Sequence, residues 1–304
     1  MRILEEICFG NYLLISSLLT NAEAWYNLTN AEVSELEKVD EDMFRKVLEC
    51  PISTPKEFLY LELGVSPIRN IIRSRRLNFL HYILHEDDQS LIYQFLEAQR
   101  LNPVKNDWCQ TVVEDLEFFE IDLSMGEIES MPQATFSALV KKNERIATLK
   151  YLNDQKVTKN HTKILHIDHS ELSMQDYLKP NGASIEESKF TFLVRSRMLD
   201  IRTNYRGQYL DTDTLCPVCL KEEDTQQHLL VCDQLCESET IVKQVPEYSD
   251  LFGENLDKKL LISRVLRKHF QARKKVLKLK ENLKSTQQCG PSDPVGSAVF
   301  NYMY

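Results

Sequence analysis

The chain has 304 residues, 42 % of them hydrophobic, and a formal net charge of −9. That is enough apolar sequence for a substantial core in one domain or two, and only eight glycines and ten prolines argue against a loop-rich β fold. The apolar run from Ile7 follows Glu5 and Glu6, where a signal peptide needs positive charge, and no stretch reaches the ~20 apolar residues of a membrane span. The expected setting is therefore intracellular, nucleus or cytoplasm, with no membrane partner.

In chain order, Thr29-Asn30-Ala31-Glu32 is a capping box, after which Val33, Leu36, Val39, Met43, Phe44, Val47 and Leu48 recur at helical spacing. Thr54-Pro55-Lys56-Glu57 is a second box with proline at the first helical position, and its helix should stop at Gly64. Ser66-Pro67 opens a helix whose apolar face is Ile68, Ile71, Ile72, Leu77, Leu80 and Ile83. Further helices are expected over about 89–100, 105–118, 133–152 and 173–178. Ser184-Ile185-Glu186-Glu187 caps one more, to about Ile201. The polar stretch 157–169 reads as a linker. A short helix over 237–243 and a long basic helix over about 256–283 complete the pattern, and the last fifteen residues read as a poorly ordered tail. No hairpin signal joins alternating strands. The expected fold class is mainly α, a helical bundle-like array with a long basic C-terminal helix.

Cys216, Cys219, His228 and Cys232 form a C-x2-C-x8-H-x3-C cluster. A two-residue gap lets both sulfurs of the first pair address one ion from a tight turn. His228 and Cys232, at i and i+4, share a helix face. Three thiolates and an imidazole make a closed tetrahedral shell for a structural Zn2+, with no position left for a hydrolytic water. Cys236, one turn on, is an alternative to Cys232. A disulfide framework is disfavoured without a secretory context. His161, His166, Asp168 and His169 are a weaker candidate metal group, equally compatible with an exposed loop.

Charge is strongly polarised. Arg264 to Lys284 holds nine Lys/Arg against Glu281, a local +8 that leaves −17 on the rest. Such a helix suits nucleic acid or an acidic protein partner. Its apolar stripe, Ile262, Leu266, Phe270, Val276, Leu277 and Leu283, is broken at Arg273. Arg273, Lys274 and Lys275 are candidate phosphate contacts and a weak nuclear-targeting run. Arg73, Arg75 and Arg76, with Arg69, form a second basic run. Arg195, Arg197, Arg202 and Arg206 form a third, just before the cluster. Arginine forks phosphates bidentately, although a solvated face paired with acids explains the last two runs equally well.

Several segments together resemble the carboxy-terminal part of non-LTR (LINE-type) retrotransposon reverse transcriptases. Leu18-Leu19-Thr20-Asn21-Ala22-Glu23-Ala24-Trp25 looks like the thumb segment, and Thr54 to Gly64 followed by Arg73 to Leu84 look like the region after it. Arg195-Ser196-Arg197-Met198-Leu199, Tyr205-Arg206-Gly207 and the cluster with Thr225-Gln226-Gln227-His228-Leu229-Leu230 continue the order, over roughly residues 15–236. The resemblance implies thumb-like helices over 1–50, a helical post-thumb region over 51–156, and a linker with arginine-bearing helices over 157–213. A CCHC zinc knuckle over 214–236, a basic helical tail over 237–284 and a disordered tail over 285–304 follow. It implies a grip on RNA or DNA beside a polymerase.

The polymerase's aromatic-x-Asp-Asp turn, whose paired aspartates hold magnesium, has no counterpart. His85-Glu86-Asp87-Asp88 reads as a solvated helix cap. Nucleophile elbows, phosphate loops and dinucleotide fingerprints are also missing. The expectation is a non-catalytic piece of a transposable element that binds RNA or DNA with zinc. The rivals are a zinc-stabilised protein-interaction scaffold and a relic without function.

Overall fold

The computed structural model describes residues 13, 15–159, 167, 169–179, 182–205, 214–235 and 247–288. The protein is mainly α, and among the described residues no strand forms beyond one isolated antiparallel bridge, Leu215 with Glu223. No described helix is long and apolar enough to cross a membrane. The chain folds as two compact units, Met1–Leu199 with Ser249–Ser263, and Asp200–Tyr248 with Arg264–Tyr304. The candidate knuckle and the basic helix beyond Ser263 fall into one unit, and the helices before Asp200, together with the start of the basic helix, into the other.

In the first unit, α1 (Asn30–Leu48) starts at the Thr29–Glu32 capping box, in which both reciprocal hydrogen bonds form. Helix α2 (Lys56–Leu63) buries Phe58, Leu59, Tyr60, Leu61 and Leu63 on all its sides. Glu57 and Glu62 are buried with them, and α2 is the centre of a core shared with Phe44, Leu48, Tyr177, Phe192 and Leu260. It stops at Gly64, as the sequence requires. Gly64 has φ +64°, and a Cβ there would lie 2.2 Å from the Met174 backbone nitrogen, so both conformation and space demand glycine. The second expected capping box does not form. Pro55 is the N-cap with no side-chain cap hydrogen bond, and the Glu57 carboxylate receives Lys159 Nζ at 2.6 Å instead.

Helix α3 (Ile68–Leu84) packs on α4 (Leu91–Leu101), α5 (Trp108–Phe118), α6 (Met125–Ser130) and α7 (Gln133–Thr158) around Leu77, Leu80, Trp108, Val112, Phe136 and Val140. The short α6, with its own Ser124–Glu127 capping box, is absent from the sequence reading, because six residues are too few to show a period. Helix α7 runs six residues beyond the expected end, and Lys156 near its end hydrogen-bonds Ile167 O at 2.8 Å. The helix expected over 173–178 shrinks to a 3-10 turn, Asp176–Leu178. Helix α8 (Ile185–Arg195) starts at the expected Ser184 box but ends early, where Arg197 takes a left-handed φ of 54°.

One face is assigned differently by packing. On α1 the valine expected inside, Val39, is 45 % exposed, while Glu37, Asp40 and Glu41 are buried. Lys56 and Arg69 reach Glu37 at 3.1 and 2.6 Å, and Arg45 reaches Glu41 at 3.2 Å, so cations from α2 and α3 admit an acidic face to the interior.

In the second unit, a 3-10 turn (Arg202–Tyr205), the knuckle loop and α9 (Gln226–Val231) pack with the part of α10 (Leu256–Gln288) beyond Ser263. The expected helix over 237–243 and the terminal segment from 289 lie outside the described residues.

Candidate metal centre

The sequence builds the centre from a turn and a cap. Cys216-Pro217-Val218-Cys219 closes with Leu220 N donating to Cys216 O at 2.9 Å, Leu220 itself in the left-handed region at φ 59°. The return strand is tied by Cys216 N to Glu222 O at 2.6 Å and Asp224 N to Thr214 O at 2.8 Å. Thr225 then caps α9, its hydroxyl accepting from His228 N at 2.9 Å. Cys232 follows as the C-cap residue of α9, with non-helical backbone, so it is the helix end that aims its sulfur inward.

The ligand atoms of Cys216, Cys219, His228 and Cys232 all lie within 4.8 Å of one another. Donors ~2.3 Å from a common centre in a tetrahedron would be ~3.8 Å apart, so the cluster is of the size to hold a metal ion. Cys216 and Cys232 are buried at 1 % and 0 % exposure. His228 presents Nε2, 3.3 Å from Cys219 Sγ, and its Nδ1 lies 2.9 Å from Glu222 Oε2. A carboxylate on the far ring nitrogen fixes tautomer and ring orientation for metal binding and raises basicity. Glu222 was missed in the sequence. Its only signal is that it is one of three acidic residues, Glu222, Glu223 and Asp224, between the second cysteine and the histidine, and no spacing rule singles it out.

The cluster's thiols oppose one another's ionisation. Burial first, then the negative charge of Cys216 and Cys219, pushes the Cys232 thiol up to about 12. Desolvation also opposes ionisation of Cys219, but backbone amides of Lys221 and Glu222, with Cys216 and His228, hydrogen-bond its sulfur and bring it down to about 6. A bound cation inverts this local repulsion, because it stabilises every thiolate at once.

Helix α10 is pinned to the knuckle by a second buried device. Arg273 forks Asp224, Nε to Oδ1 at 3.2 Å and Nη2 to Oδ2 at 2.5 Å, and its Nη1 donates to Asp200 O at 3.1 Å. Asp224 also accepts from Arg202 N at 2.9 Å. His269 Nδ1 lies 2.9 Å from Leu229 O, and Lys280 Nζ donates to Pro217 O. The break in the apolar stripe is thus a buried ion pair, and Arg273, 3 % exposed, is corrected from a phosphate contact and targeting residue to a structural one. Its fork is already taken. Lys274 and Lys275 beside it are exposed, Lys274 Nζ resting 4.6 Å from the centroid of the Phe270 ring.

The other arginines divide similarly. Arg195, 2 % exposed, forks Glu62 at 2.9 and 2.7 Å and donates to Leu251 O at 2.7 Å. Tyr177 Oη also donates to Glu62, and His169 Nε2 lies 2.9 Å from it. Burial would raise the Glu62 carboxyl, but the Arg195 guanidinium outweighs it and holds Glu62 well below the usual carboxylate range. Arg195 is therefore a core residue. His169, from the second candidate metal group, is committed to the same carboxylate; His161, His166 and Asp168 lie outside the described residues, as do Arg206 and Cys236.

Arg76, 5 % exposed, donates to Asp115 at 2.6 Å and to Trp25 O, which corrects its assignment to an open nucleic-acid face. Arg75 donates to Leu19 O at 2.6 Å, and Arg73 lies 3.3 Å from Asp115. Both are half-buried, as are Arg197 and Arg202. Arg202 donates to Leu215 O at 3.0 Å. Of the ten residues expected to contact nucleic acid, the nine described ones are thus spread over both units.

No family model, no curated protein and no solved structure matches this chain.

Proposed function

We propose that the protein is a non-catalytic, zinc-stapled nucleic-acid-binding module, similar in role to the thumb-to-knuckle region of a LINE-type reverse transcriptase. Three sulfurs and one imidazole nitrogen are a soft donor set that favours Zn2+ over the hard cations Mg2+ and Ca2+. Four protein donors close the shell, so the ion staples the fold and leaves no site for an activated water. The observation that carries the reading is the exposed lysine face, Lys274, Lys275 and Lys278, on the helix that Arg273 and His269 anchor to the knuckle. Fixing the helix on the metal-stapled loop holds those cations in a row without further ordering cost, which suits a phosphate backbone.

A titration of a labelled structured RNA, followed by anisotropy over a salt series with zinc-loaded and zinc-stripped protein, tests it. Binding should need zinc, weaken with a log–log slope of about −0.7 per phosphate contact on single strands, and lose one to two contacts in Lys274→Gln/Lys275→Gln. Zinc-bound protein that ignores RNA at low salt would overturn it. The second reading is a protein-interaction scaffold. It is favoured by the internal ion pairs of Arg76, Arg195 and Arg273, which withdraw three arginines from any phosphate, and it would have the same lysines meet an acidic protein.

A further inference from the structure

Far from the metal ligands in sequence, a cavity of about 200 Å³ opens within the first unit between the turn before α1, the face of α3 and the start of α5. Arg69, Arg73 and Arg76 project into its wall from one face of α3, at i, i+4 and i+7. Asn27, Asn106 and Thr111 add neutral hydrogen-bonding groups, and Glu114 and Asp115 are the acids of the lining. Asp115 is shared between Arg76 at 2.6 Å and Arg73 at 3.3 Å, and Arg69 is spent on Glu37 at 2.6 and 3.0 Å.

Arg73 is the least committed of the three. Its one hydrogen bond among the described residues is Nη1 to Asn70 Oδ1 at 3.2 Å, and its guanidinium rides 3.8 Å from the centroid of the Phe118 ring, with 29 % of the side chain exposed. A guanidinium offers about five N–H donors in a planar fork, so most of them remain for a ligand. Burial holds Arg73 below the ordinary arginine value against the attraction of Asp115, and the like charges of Arg69 and Arg76 act in the same direction as burial. An anion among the three relieves that repulsion.

We propose that this cavity binds a phosphoryl oxyanion, with Arg73 as its principal fork and Asn106 beside it, while Arg69 and Arg76, whose own forks are held by Glu37 and Asp115, contribute only fixed positive charge in the wall. The source is either inorganic phosphate or a phosphoryl group of a nucleic acid. The inference stands independently of the zinc and lysine reading, since none of its residues belongs to the second unit.

The test is a titration of the full chain with inorganic phosphate at constant ionic strength, with chloride as control, followed by phosphorus NMR line broadening. Binding is expected, weakened about tenfold in Arg73→Gln by loss of a charged fork, and unchanged in Lys274→Gln. A trinucleotide with and without a 5′-phosphate separates the sources: tighter binding of the phosphorylated form than of phosphate assigns a nucleic-acid end, weaker binding assigns the free ion. Should Arg73→Gln fail to fold, Asn106→Gly, which suits the φ of 62° there, should weaken phosphate about threefold. No broadening by phosphate or by the phosphorylated trinucleotide, or equal affinity in the folded variant, overturns the proposal. Loss of RNA binding in Lys274→Gln/Lys275→Gln with phosphate binding intact would leave it standing.

Discussion

Asp40 shows how much a single side chain can depend on its surroundings. It is 1 % exposed, its Oδ1 has no hydrogen-bond partner among the described residues, and Glu37 and Glu41 stand beside it. Burial, then those like charges, raises its carboxyl from 3.8 to about 7. The folded protein therefore binds a proton between about pH 4 and pH 7 that the unfolded chain has released. By linkage, Asp40's contribution to stability falls as pH rises through that window, and the full penalty is present above it. Asp40→Asn should consequently raise the unfolding free energy at pH 8 by on the order of 2 kcal/mol, read as a higher denaturant midpoint, and give no gain at pH 4. A variant equally or less stable at pH 8 would show that Asp40 is ionised at no cost. Glu62 has the opposite sign: Arg195 holds its pKa down, so its stabilisation is complete above 4.5 and is lost as pH falls.

At the scale of elements, the same residue type acts according to what it meets. Arg273 interrupts the apolar stripe of α10 yet lies inside, because Asp224 and the carbonyl of Asp200 receive its fork. Removing one member of such a pair strands the other. Arg273→Met should cost about 3 kcal/mol by leaving the Asp224 carboxylate buried and uncompensated, and Asp224→Asn on that background should recover part of the loss. Chemical denaturation of the single and double variants measures both; a neutral Arg273→Met would mean that solvent reaches the pair. Capping follows a similar logic. The Thr29, Ser124 and Ser184 boxes form as local rules dictate, whereas the Thr54 box yields because Lys159, distant in sequence, claims Glu57.

For the molecule as a whole, two compact units and a candidate metal cluster among the described residues of the second predict separable stabilities. Metal binding free energy at a structural site is folding free energy, and all four ligands belong to the second unit. Stripping zinc with a chelator should lower the melting of that unit steeply and leave an unfolding transition from the first unit largely in place. Cys219→Ser should reproduce the effect without chelator. Scanning calorimetry with and without zinc checks this, and a single transition that ignores the metal would refute a stapling role.

Fold class, most helix starts and the four residues whose donor atoms cluster were legible in the residues themselves, because helical period, capping pairs and cysteine–histidine gaps are local quantities. Helix ends were less so: α7 outruns its apolar pattern and α8 stops at a backbone φ that no neighbouring residue announces. The fate of charge was not legible at all. Arg76, Arg195 and Arg273 read as surface cations until Asp115, Glu62 and Asp224, each at least 39 positions away, were brought against them. Glu222 likewise became the partner of His228 only once the loop closed. Sequence alone determined which stretches would be helical and which atoms could share an ion. Tertiary structure decided which charges face water, because the energy of an ion pair depends on a partner and a dielectric that only packing supplies.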